Sequence, residues 1–250
     1  MSANKITLPI IFMAILSVAA MIFIHNNETS LISFPVTHLV PYVSISLVLI
    51  IIFNLSMRQA LTMYVASIIA LITIAHFYVI PGLKISNEQF KLVANTKHLL
   101  LSFIALLPIF GLVKIPAHKI VKSIIYLIGS LITWGFFSFV IAKMELPVIN
   151  LADKIFSAIG MTSPFQDLWF SPLQFALISM SAMTLLILVI KSAHNIYLLA
   201  IAFLAAFAVA QMSSLSIILF AILSSVLCLS SAMISSRNMA FNDELTGIPG

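Results

Sequence analysis

The side chains best able to ligate a metal or move a proton in this 250-residue chain are six histidines and one cysteine. Four of the histidines, His25, His38, His76 and His98, fall near the ends of apolar runs. Neutral imidazole binds copper, zinc and haem iron, so a bis-histidine or copper-type site assembled between helices is the metal chemistry these four would support. No two of them stand at i, i+4 spacing, the arrangement that puts two ligands on one helix face. The reading set beside the metal site is four interfacial histidines with ordinary hydrogen bonds. His118 and His194 sit among lysines in short polar segments and support topology instead. Cys228 lies inside an apolar run, and a single cysteine makes neither an intrachain disulfide nor a redox pair.

Composition decides the class of the elements that must hold these residues. Hydrophobic residues make up 62% of the chain and charged residues 8%, and the mean hydropathy is +1.20. Soluble domains carry roughly 25% charged residues, so lipid must solvate much of this chain. The sequence predicts an all-α, polytopic membrane helix bundle. A bilayer core of about 30 Å takes roughly 20 apolar residues per helix, and eight stretches qualify: Ile6–Ile24, Leu39–Leu55, Ala60–Ile80, Leu99–Val113, Ser123–Ala142, Leu173–Ile190, Ile196–Ala210 and Leu215–Ile234. The last two are divided only by Gln211-Met212-Ser213-Ser214, which predicts a tight hairpin. The first run continues past the small-residue site Ser17-Val18-Ala19, which favours an uncleaved helix over a signal peptide. Ser86-Asn87-Glu88-Gln89 reads as a capping box ahead of the fourth span. The segment Lys143–Ser171 is expected to hold one short interfacial helix, capped by Asn150 and ended by Gly160, as a connector or a lid. Ser171-Pro172 then reads as an N-cap with proline in the first helical position.

Loop charges orient the bundle. With the N-terminus inside, seven cations (Lys5, Arg58, Lys114, Lys119, Lys122, Lys191 and Arg237) fall in short inner segments. Five (Lys84, Lys91, Lys97, Lys143 and Lys154) fall in longer outer ones, along with five of the seven acids. This distribution follows the positive-inside tendency and places both ends in the cytoplasm of a bacterial inner membrane. No span carries a charged residue near its centre, whereas ion-coupled carriers and pumps use such residues to bind and release the coupling ion. A carrier of neutral or lipid-like solutes stays open as the alternative. Basic residues do not cluster on one soluble face, so no nucleic-acid footprint is present.

Small residues line the last two spans: Ala202, Ala206 and Ala210 on the seventh, and Ser213, Ser224, Ser231 and Ser235 on the eighth. Such stripes let helices approach closely, within one subunit or across a dimer. They lead into the polar tail. By itself the tail reads as a turn after a helix. Its segment Asp243-Glu244-Leu245-Thr246-Gly247-Ile248-Pro249-Gly250 resembles the opening motif of GGDEF domains, the diguanylate cyclase family. There an Asp-x-Leu-Thr-Gly-Leu/Ile segment follows a signalling helix and leads to a residue that is often Asn, then Arg. Asp243, Leu245, Thr246, Gly247 and Ile248 match, and Gly250 stands where Asn is usual.

The resemblance implies an eight-helix sensor domain over residues 1–234, a cytoplasmic signalling linker over 235–242, and the opening residues of a truncated GGDEF-like domain over 243–250. It implies a homodimer through the last helix and linker, and regulation of cyclic di-GMP synthesis by an unknown small ligand or membrane state. The family's catalytic signature would lie beyond Gly250, so the chain holds no catalytic residue, and GTP and Mg belong to the missing domain. The competing reading is a small permease, a channel, or a lipid-modifying or other polytopic membrane protein whose tail matches by accident.

Overall fold

The computed structural model describes residues 4–27, 36–56, 60–82, 95–112, 120–159, 170–192 and 195–246. Among them there is no strand, and eight long helices carry the fold: α1 Asn4–Asn26, α2 Val40–Ser56, α3 Ala60–Ile74, α4 Thr96–Leu112, α5 Ile120–Ala158, α6 Pro172–Lys191, α7 Ile196–Gln211 and α8 Ser214–Thr246. Each covers one of the eight apolar stretches. In an apolar solvent the backbone must satisfy its own hydrogen bonds, and leucine-, isoleucine- and alanine-rich runs do so as helices. A 3₁₀ turn, Val36–Leu39, leads into α2. A π turn, Ala75–Val79, and a last short piece, Ile80–Gly82, continue α3.

Among the described residues, four helices are long and apolar enough to cross a membrane: Leu61–Val79, Leu127–Ala158, Pro172–Lys191 and Ser214–Arg237. Four shorter apolar segments, Leu8–Ile24, Val40–Leu55, Thr96–Leu112 and Ile196–Gln211, complete the bundle. Burial separates centre from rim. In α3 and α8, 61% of the most apolar window is buried, against 22% in α5 and α6. α8 packs along α1, α2, α3 and α7, while α7 packs on α1, α4, α6 and α8. α5 leans chiefly on α4 and α6, with a small contact to α3.

The small-residue stripes explain this centre. Ala202 and Ala206 are buried, as are Ser224 and Ser231, so they bring helices of one chain together. α4 approaches closely too. A Cβ added at Gly111 would stand 2.8 Å from Leu188 Cδ1 and 3.3 Å from Leu198 Cδ1, which places the end of α4 against the end of α6 and the start of α7. At the opposite end of the bundle, the start of α4 meets α5 and the start of α6. Consecutive helices therefore run up and down.

The expected hairpin between the last two spans forms. α7 ends at Gln211, Met212 takes the left-handed conformation with φ 47° and ψ 26°, and α8 begins at Ser214. The Ser216 backbone N–H donates to Ser213 Oγ at 3.1 Å and the Ser213 N–H donates to Ser216 Oγ at 3.2 Å, a reciprocal cap of the new helix.

Two expectations change. The separate interfacial helix beginning at Asn150 does not form, because α5 runs unbroken from Ile120 to Ala158 through Pro147. Proline at that position removes the N–H that would reach the Lys143 carbonyl and crowds that carbonyl, and α5 takes both without a break. The loss falls where the exposed face of α5 turns from Ile125, Ile132 and Phe136 to Lys143, Asn150 and Lys154, so water can replace it. The polar turn expected after the eighth span also moves outward, because α8 stays helical to Thr246. The capping box at 86–89 lies outside the described residues, and α4 is described from Thr96, where Asn95 Oδ1 accepts the Lys97 N–H at 3.1 Å.

Candidate functional site

The most polar place inside the described bundle is built where α4, α5 and α6 meet. Asn95 starts α4, and two residues of its first turn, Thr96 and His98, are both buried. At 100° per residue they point about 200° apart, to opposite flanks of the helix. Thr96 faces α3, where its Oγ1 lies 2.9 Å from His76 Nδ1. His98 faces α5, where its Nε2 lies 2.6 Å from Glu145 Oε2. A carboxylate only accepts, so Nε2 carries the proton of that bond.

The other oxygen of Glu145 is also occupied. Gln174 Nε2 donates to Oε1 at 2.5 Å and Ser171 Oγ donates to it at 3.2 Å. Ser171 is the N-cap of α6, with proline in the first turn, as foreseen from Ser171-Pro172, and it forms a reciprocal capping box with Gln174 besides. One carboxylate on α5 thus gathers three donors from two other helices, α4 and α6, next to the positive end of the α6 dipole. A little deeper, Trp134 Nε1 donates to the Leu99 carbonyl at 3.1 Å and fixes α5 to α4 a second time.

The four histidines singled out from the sequence are not gathered into one centre. His76 and His98 serve different flanks of α4. His38 is exposed in the turn ahead of α2, and His25 lies on α1 with its side chain outside the described residues. Among the described residues, no group of three or more His, Cys, Asp or Glu is placed to hold a metal ion. The residues that sequence reasoning missed are the partners Glu145 and Gln174, which lie 47 and 76 positions after His98. The legible signal was Ser171-x-x-Gln174, a capping pattern whose glutamine has a second use.

At the other end of the bundle, Tyr197 in the first turn of α7 is fully buried against Cys228 and Ser231 of α8. From Ser231 the last helix runs a further fifteen residues to Thr246, about 22 Å at 1.5 Å per residue. Of the family-motif residues, Asp243, Leu245 and Thr246 lie in its closing turns, and Gly247 and Ile248 are outside the described residues. A groove of about 390 Å³ between α1 and α7 is lined only by apolar side chains, among them Ala14, Val18, Leu199 and Phe203.

Composition and helices together define the class: an all-helical bundle of the kind that membrane proteins build. No protein-family model, no curated protein and no solved structure matches the chain.

Proposed function

We propose that this chain is the membrane-embedded sensory region of a diguanylate-cyclase-type signalling protein. In this reading eight helices span the bacterial inner membrane with both termini cytoplasmic. A small ligand or a membrane state shifts their packing, and α8 passes the shift to a GGDEF output domain that acts in cyclic di-GMP signalling.

The observation that carries the reading is α8 itself. It begins enclosed by α1, α2, α3 and α7 and continues without a break into Asp243, Leu245 and Thr246. A continuous helix that is central in the bundle and runs on past the first turn of α7 suits the transfer of a rotation or a tilt. The same enclosure limits where two copies would pair. Much of α8 is covered by its own chain, but Ile222, Val226 and Met233 leave one exposed face, so in this reading two copies pair through the last helix and the linker. Ligand coupling of this kind requires a ligand that binds two packing states unequally.

The test joins a GGDEF catalytic domain in frame after Gly250 and measures cyclic di-GMP made by membranes containing the fusion. Insertions of one to four residues after Arg237 rotate the output by about 100° each, and activity is expected to rise and fall with helical period. Activity indifferent to these insertions would sink the sensor reading. Uptake of a solute by liposomes holding the purified chain would favour the permease instead.

A further inference from the structure

The π turn at Ala75–Val79 has a visible cause and a visible latch. Two residues beyond it stands Pro81. In a regular α-helix the Pro81 ring would strike the Phe77 carbonyl and leave that carbonyl without its usual donor. Widening the preceding turn by one residue relieves the clash, and the Ile80 N–H donates to the Ala75 carbonyl five residues back. His76 sits inside the wide turn, edge-on to Phe77 at 4.6 Å and 89°, and holds Thr96 of α4. Wide turns of this kind occur as single turns inside α-helices, frequently at functional sites, and are places where helices kink. α3, which carries this one, packs directly along the central α8.

From this juxtaposition we infer that Ala75–Val79 is a two-state element, a wide turn latched by His76 on Thr96, whose closing shifts α3 by one residue against α8. In the latched state Pro81 and the His76–Thr96 bond act together. In the closed state His76 swings off Thr96, and the residues after the turn rotate by about 100° relative to those before it. The inference stands whatever α8 is joined to, and only its use as a signal input rests on the proposed function.

The native Cys228 reports on α8 directly, because it is the chain's single cysteine and is fully buried. Labelling by a membrane-permeant maleimide is followed in the full chain in membranes. Two variants weaken the wide turn from different sides: Thr96→Val removes the latch, and Pro81→Ala removes the clash. Each is expected to label Cys228 roughly tenfold faster than the wild type, the change that follows when one buried hydrogen bond no longer opposes local opening.

His76→Gln, which keeps a polar group within reach of Thr96, is expected to label like the wild type. In a Cys228→Ser background, Tyr78→Cys reports the turn itself, since Tyr78 is 53% exposed. Its labelling by a charged maleimide is expected to change severalfold with Thr96→Val. If Tyr78→Cys responds while Cys228 stays at the wild-type rate in both variants, the turn does not reach α8 and the inference is overturned. Unchanged labelling at both positions overturns it as well, leaving the wide turn as static packing. Circular dichroism and monodisperse elution confirm that each variant is folded before its rate is read, and no output domain is needed.

Discussion

Glu145 accepts three hydrogen bonds at once, and its removal leaves three donors facing a poorly hydrated gap. Breaking one side of a buried charge-assisted pair costs about 3–5 kcal/mol. The Glu145 side chain keeps 19% of its exposure, so the lower end applies. Glu145→Ala is expected to destabilise the detergent-solubilised chain by about 3 kcal/mol, read as a drop in thermal midpoint. A midpoint equal to the wild type's would mean that the carboxylate holds nothing. Ser171→Ala loses only the cap and one long bond, about 1 kcal/mol. That ranking, Glu145 well above Ser171, distinguishes a carboxylate hub from a chain of independent caps. Nothing at this scale was fully legible beforehand. His98 stood out as a candidate ligand by residue type, but its partner is a carboxylate 47 positions away that only packing could supply.

For the elements, length is the telling property. α8 has 33 residues and α5 has 39, both far longer than the roughly 20 needed to cross lipid. In α8 the excess is the connection to the tail, and its helical state is directly testable. Ser236→Pro, placed one residue before Arg237, is expected to cost about 3 kcal/mol of local helix stability and to open the Arg237 bond to trypsin. The wild-type chain in membranes is expected to be cut there much more slowly; equal rates would mean that the segment is not a stable helix. At the same end of the bundle, Gly111→Ile puts a branched side chain where a lone Cβ already meets Leu188 at 2.8 Å. Overpacking of this kind costs about 1–3 kcal/mol, visible as a lower midpoint. The ends of these helices were partly readable: Ser171-Pro172 and the 211–214 hairpin announced themselves through capping chemistry. The continuity of α5 did not, because Asn150 and Gly160 suggest a short separate helix while Pro147 tolerates a long one.

Across the whole molecule, the bundle sorts its helices by burial. α7 and α8 form the centre, and α5 and α6 form a rim. On the proposed eight-span topology, a reporter fused after Gly250 is expected to be active in the cytoplasm and one inserted in the 83–94 segment in the periplasm. A periplasmic signal after Gly250 would remove the cytoplasmic output with it.

The sequence alone determined the solvent, the helical class and the eight apolar stretches, because these follow from composition and from run length, which are local. It also marked the tail, because a motif is a string. The tertiary structure decided which helices are central, which small residues face their own chain, and which histidine meets which partner. Those depend on the rotation of each helix about its axis and on contacts between residues tens of positions apart, and no local pattern in the chain carries that information.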